Sequence, residues 1–316
     1  MAGGEFPKKL GEYGEKIVQK ILPLIGYNSV INNFDIKCYD NEEHKRTNAK
    51  GHRQSHGVDH LFSYNCPLRD NTIENVIISA KYQDNYPDNE KEITENFKKF
   101  SKEIVQTMQC IDYSEEYTQR IASPQLHNPD IKKTGVIFWL ANDDSIDSGV
   151  IEKIENFRME DLNFESIYLV DNKRANFIFL VLNFIKLTYG NTVHDFYYPD
   201  TGYNHDPRTK KYSGSILPVQ FINSNIIPIK LQTDSKTLLL FINENFNDEN
   251  LRRMMGLAHN FTRNFSGNVI IHFPDYGGVH HVSIVEKVKS NFTDQNFVGS
   301  VSVKSFLLNV NTLGDE

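Results

Sequence analysis

Three side chains in the first third of the chain could do chemistry together. The stretch "VIISAKYQ", Val76 to Gln83, is apolar enough to be a buried strand, yet it carries a lysine. Side chains alternate across a strand, so Ile77, Ser79, Lys81 and Gln83 share one face, and Val76, Ile78, Ala80 and Tyr82 share the other. Lysine is almost never fully buried without a partner. In the preceding apolar run, "GVDHLFSY", the acid is Asp59. A hairpin would set Asp59 beside Ser79 and Lys81. An acid and a lysine on one sheet surface can hold a divalent cation and orient a water. The cation lowers the water's pKa, and the lysine stabilises charge on an attacked phosphorus. The plainer alternatives are a strand-end lysine reaching solvent and a hairpin-edge acid.

The elements needed to position these groups are legible. From Lys9 to Ile25, residues Leu10, Gly14, Ile17, Val18, Ile21, Leu22 and Ile25 fall on a helical stripe, which Pro23 and Gly26 end. "SVINNFDIKCYD" reads as a strand. The two strands carrying Asp59 and Lys81 follow, joined by the turn-rich "NCPLRDNTIE". A long amphipathic helix from Asn89 places Ile93, Phe97, Phe100, Ile104, Met108 and Ile111 on one face. Strand "TGVIFWLAND", helix "SGVIEKIENF", strand "ESIYLVDN" and the apolar helix "RANFIFLVLNFIKLTYG" continue the alternation. Residues 192–215 read as a linker or long loop. Beyond them come strand "KTLLLFINE", helix "NDENLRRMMGLAHNFTR" with an Asn or Asp cap, strand "GNVIIHFPD", helix "VHHVSIVEKVKSNF" and strand "VGSVSVKSFLLNV". This pattern predicts an α/β chain with some parallel pairing. The expected domains are 1–200 and a smaller α/β unit, 213–316, serving dimerisation, a partner or target recognition.

The order of these residues resembles the PD-(D/E)XK, or restriction-endonuclease-like, nuclease superfamily. There, a first helix carries a glutamate, the first hairpin strand carries an Asp, and the second carries an acid, any residue and a lysine. "LGEYGEKIVQKILPLIGY" resembles that helix, with Glu15, or less well Glu12, as its glutamate. "HGVDHLF" resembles the Asp strand and "ISAKYQ" the acid-x-Lys strand, with Gln83 at a polar helper position. The likeness spans roughly residues 1–192. It implies a mixed sheet flanked by helices, and a DNA endonuclease that uses Mg²⁺ or Mn²⁺ at Asp59 and Glu15. Lys81 would stabilise the transition state, and Ser79 and Gln83 would assist. Similar nucleases resemble prokaryotic defence effectors against phage or foreign DNA, working as homodimers or with a partner subunit. Ser79 departs from the pattern, standing where an acid is usual. A serine is a poor ligand for Mg²⁺ beside a carboxylate. Glu15 and a backbone carbonyl, or His56 or His60 with Mn²⁺, could complete the shell, or the domain could bind DNA without cutting it.

Bulk properties narrow the field. A chain of 316 residues with 39% hydrophobic and 24% charged content fits a soluble globular protein of one large or two smaller domains. No apolar run reaches membrane-spanning length, and the N-terminus lacks an apolar signal core. Cys38, Cys66 and Cys110 are far apart with no CxxC pair, so a zinc ribbon or thiol redox motif is not expected. An odd count without a signal fits a reducing cytoplasm. The net charge of −7 argues against bulk coating of nucleic acid. The acid-free segment His44–His56 could still approach a DNA backbone through Lys45, Arg46, Lys50, Arg53 and His56; Asp206–Gly214 is a second basic stretch. His56, Asp59 and His60 could suggest zinc, but positioning or phosphate contact is the preferred reading. His280 and His281 open a helix whose amides could meet phosphate, although a solvated cap is the plainer reading; His259 reads as structural. P-loop, GxGxxG, GxSxG and HExxH motifs are missing. Two other classes stay open: a DNA-binding scaffold subunit that has lost an acid, and a small-molecule enzyme with its site in the C-terminal unit.

Overall fold

The computed structural model describes residues 5–44, 52–121, 126–143, 145, 147–155, 157–159, 162–190, 192, 194–232, 236–262 and 267–307. The chain divides into two compact units between Asn176 and Phe177.

The N-terminal unit opens with helix α1 (Glu5–Leu24). Gly26, at φ 85°, takes the left-handed turn that ends it, with Tyr27 N donating to Leu22 O at 2.9 Å. Strands β1 (Ile31–Lys37), β2 (Ser55–Asn65) and β3 (Thr72–Gln83) form an antiparallel meander. Helix α2 (Glu90–Cys110) is capped by Asn89, whose Oδ1 accepts from Glu92 N at 2.8 Å. After the short α3 (Glu115–Ile121) come β4 (Asp130–Ala141), the single turn α4 (Ile151–Ile154), β5 (Ser166–Val170) and α5 (Asn172–Tyr189), which crosses the division between units.

The sheet order is β1-β2-β3-β4-β5, antiparallel up to β3 and parallel beyond it. This is the expected mixed sheet. Its two faces carry different helices. Gly14 of α1 lies against Tyr82, so close that any Cβ there would overlap the tyrosine's own Cβ. On the other face, Ile104 of α2 packs over Gly135, and Phe100 meets the fully buried Trp139 edge-on at 5.2 Å. Alternation along β3 therefore sends Tyr82 towards α1 and Lys81 towards α2.

The C-terminal unit contains β6 (His194–Tyr197), β7 (Ser213–Gly214), β8 (Ile226–Leu231), β9 (Thr237–Ile242), α6 (Asp248–Thr262), β10 (Asn268–Phe273), α7 (Gly278–Lys289), α8 (Gln295–Ser300) and β11 (Val301–Ser305). Its sheet order is β11-β10-β9-β8-β6-β7, around a core that includes Leu238, Leu240, Met255, Val269, Ile271 and Phe273. As expected, an Asn cap opens α6, with Asn250 N donating to Asn247 Oδ1 at 2.8 Å. Five elements depart from the sequence reading. Residues 192–215 supply two short strands as well as loop, α4 is one turn, and α8 precedes the last strand. Strand β8 was not anticipated, and it contains Pro228, a residue unfavourable in an inner strand. The structure accommodates it: pairing between β6 and β8 runs from His194↔Leu231 to Phe196↔Ile229 and stops before Pro228, which has no N–H to give.

Candidate active site

Burial along β3 changes where the chemistry begins. Thr72 to Ile78 are buried, and Ser79 to Gln83 are half-exposed. One residue past the His60–Ile78 pair, the Asp59 carboxylate turns onto β3. Its Oδ2 accepts from Ala80 N at 2.7 Å and from Ser79 Oγ at 3.3 Å. The hairpin thus joins Asp59 and Ser79, as the sequence predicted.

A break in strand alternation sits at the same place. Ile31 and Phe34, and likewise Val58 and Leu61, pack into one core although they are three residues apart. Regular alternation would send each pair to opposite faces. The switch falls at Asn33 and Asp59, between the Asn32↔His60 and Phe34↔Val58 pairs. Asn33 has φ 48°, a left-handed conformation that Asn tolerates better than most residues. From there its Nδ2 donates to Glu15 Oε2 at 3.3 Å. Glu15 therefore meets β1 through Asn33, at the point where the β1–β2 register skips Asn33 and Asp59.

Lys81 extends over the Phe100 ring, 5.4 Å from its centroid, and its Nζ donates to Glu103 Oε2 at 3.0 Å. The two side chains are 28% and 40% exposed, so solvent reaches this pair. Glu103 was missed by sequence reasoning, which treated α2 as a core helix with an undifferentiated charged face. Gln83 ends the strand, and its Nε2 is buried without an acceptor among the described residues. Asp59 thus meets Ser79 and Ala80, Lys81 meets Glu103, and Glu15 meets Asn33.

The histidines of "HGVDH" part company. His60 is buried and its Nδ1 lies 2.8 Å from Asn32 Oδ1. Burial lowers its pKa, partly opposed by the neighbouring Asp59 charge. His56 was expected to touch phosphate. The structure corrects this: the side chain is 0% exposed, enclosed with Cys38, His44 and Cys110. Lys45, Arg46 and Lys50 lie outside the described residues. Arg53 Nη1 donates to Gln106 Oε1 of α2 at 3.0 Å. In the C-terminal unit, His281 accepts from Gly277 N at 3.1 Å and stacks on Phe246, while His259 Nε2 lies 3.3 Å from Asp294 Oδ2.

Residues 1–174 match a family model described as the GAPS4 protein PD-(D/E)XK nuclease domain. The chain belongs to this family. Neither a curated protein nor a solved structure matches it. Membership of the GAPS4 nuclease-domain family makes the N-terminal unit a nuclease domain, and the mixed five-stranded sheet flanked by helices is consistent with that fold. Nucleases of this superfamily usually employ divalent cations. Among the described residues no helix is long and apolar enough to cross a membrane.

Proposed function

We propose that this chain is a DNA endonuclease dependent on Mg²⁺ or Mn²⁺, hydrolysing phosphodiester bonds of phage or other foreign DNA. The observation that carries the reading is the hairpin geometry: Asp59 is pinned by Ser79 and Ala80, and Lys81 leaves the same strand two residues on. The donor set fits a hard cation, because it offers carboxylate and hydroxyl oxygens. Asp59 and Glu15 would hold the ion, with Ser79 as a weak ligand. When bound, the ion supplies a water of lowered pKa and positive charge at the scissile phosphate.

The chain's own residues do the rest. The bonds to Asp59 both run through Oδ2, so the amide of Ala80 fixes the carboxylate's orientation. Lys81 is held out over Phe100 and would donate to a non-bridging phosphate oxygen as negative charge develops there. Glu103 holds Lys81 before substrate arrives and adds an acid that Ser79 lacks. Gln83 Nε2 would steady the attacking water or a phosphate oxygen. The segment His44–His56 would meet the DNA backbone through its lysines and arginines, a contact without sequence information. The C-terminal unit would serve a second copy or a partner subunit.

The direct test incubates the full chain with linear and closed-circular DNA in Mg²⁺ or Mn²⁺. Cleavage of both is expected, abolished by chelation and lowered at least about 100-fold in Asp59→Ala and in Lys81→Ala. Binding of DNA without metal-dependent cutting would overturn the proposal. The serine at position 79 would then mark a DNA-binding subunit that kept the fold and lost the chemistry.

A further inference from the structure

A second constellation lies on the N-terminal unit, built from residues that the nuclease reading does not use. Cys38 follows β1, His44 lies in the segment beyond it, His56 stands near the start of β2, and Cys110 is the last residue of α2. All four are buried, and one ligand atom from each lies within 4.8 Å of every other. The closer distances are 3.5 Å from Cys38 Sγ to His44 Nδ1, 3.4 Å from Cys110 Sγ to His44 Nδ1, and 3.3 Å from His44 Nδ1 to His56 Nε2.

Hydrogen bonding does not account for this. A neutral imidazole nitrogen carries either one proton or one lone pair, so His44 Nδ1 can satisfy one of its three neighbours. One cation at the centre satisfies all of them. A tetrahedral ion with Zn–S of about 2.3 Å and Zn–N of about 2.0 Å sets adjacent ligand atoms about 3.3 to 3.8 Å apart, and the three distances fall in that range. The other nitrogen of His44 supports the same assignment: Nε2 lies 3.0 Å from Gln109 Oε1, the carbonyl partner that typically fixes the tautomer of a metal-bound histidine. Two thiolates and two imidazoles favour zinc over magnesium or calcium.

We propose that Cys38, His44, His56 and Cys110 form a structural zinc site, separate from the catalytic cation at Asp59. Four protein ligands, all buried, leave no open coordination position, so the ion is structural rather than catalytic. Its role follows from what it ties. His44 and His56 bracket the basic segment, and Cys110 anchors both ends of that segment to the close of α2. Asp59 lies three residues beyond His56 on the same strand. The ion thus fixes the footing of the proposed DNA-contacting loop without entering the reaction.

Elemental analysis of the purified full chain tests this, together with X-ray absorption at the zinc edge. About one zinc per chain is expected, bound by two sulfurs near 2.3 Å and two nitrogens near 2.0 Å. Replacing zinc by Co²⁺ should give the strong visible bands of a tetrahedral thiolate site. Asp59→Ala should keep the zinc; Cys38→Ser and Cys110→Ser should lose it. Limited proteolysis should cut the metal-depleted wild-type chain faster than the loaded chain. A folded wild-type chain without zinc, even after incubation with Zn²⁺, would overturn the proposal. So would an oxygen-only shell, or a Cys38–Cys110 disulfide found by mass under non-reducing conditions. The metal content and shell of the wild-type chain decide the matter even if a cysteine variant fails to fold.

Discussion

At the scale of single residues, Lys81 and Glu103 separate structure from chemistry. A solvent-reached ion pair contributes about 0–1 kcal/mol to folding. Glu103→Gln should therefore leave the urea midpoint nearly unchanged. If Glu103 holds Lys81 and supplies the acid that position 79 lacks, the same variant should cut DNA at least about 10-fold more slowly. Equal cleavage by both proteins would remove Glu103 from the site. Ser79 and Lys81 were legible in the sequence because alternation puts them on one face of β3, and Asp59 because a hairpin sets β2 beside β3. Glu103 was not, because hydrophobic periodicity names the buried face of α2 and says nothing about which exposed acid meets a lysine 22 residues earlier. The Cys38, His44, His56 and Cys110 cluster was hidden for another reason. Zinc motifs are read from short spacings, and these ligands come from two positions after β1, one on β2 and the end of α2.

At the scale of elements, the position of α1 rests on one missing side chain. Gly14 lets the helix backbone approach Tyr82, and Glu15 is the next residue. Gly14→Ala adds a Cβ where Tyr82 already stands, so α1 must move away from β3. Overpacking of this kind costs about 1–3 kcal/mol, against up to about 1 kcal/mol gained in helix propensity. A lower urea midpoint is expected, with slower cleavage as Glu15 is displaced from Asn33. An unchanged midpoint would mean that the helix docks more loosely than the structure shows. The strands and helices of the N-terminal unit were legible because their periodicities are strong. The second sheet was harder, since β6 has only four residues and β8 contains Pro228. There, pairing on both sides outweighs local preference.

At the scale of the molecule, each unit has its own sheet and core, so each answers to acid in its own way. In the C-terminal unit His272 is fully buried, stacked on Phe241 at 4.7 Å, with Nδ1 3.4 Å from Ser305 O. Burial pushes its pKa down to about 3, and Lys304 adds to the effect against the Ser305 carbonyl. The unfolded chain, near the ordinary 6.5, takes up the proton first, so stability falls as pH drops from about 6.5 towards 3. The loss between pH 6.5 and 5 is about 2 kcal/mol. Hydrogen exchange of the β9 and β10 amides should show it, and His272→Phe should flatten that dependence. An equally steep slope in the variant would assign the acid sensitivity elsewhere. The placing of β3 at the centre of the first sheet has a consequence of another kind, in the order of assembly. Its antiparallel partner β2 is reached across 66–71, whereas its parallel partner β4 lies beyond 84–129. Loop-closure entropy makes the longer closure costlier by about 2 kcal/mol. Asp59 and Ser79 therefore belong to the part of the sheet that closes most cheaply, and a nascent chain can bring them together before β4 has been made.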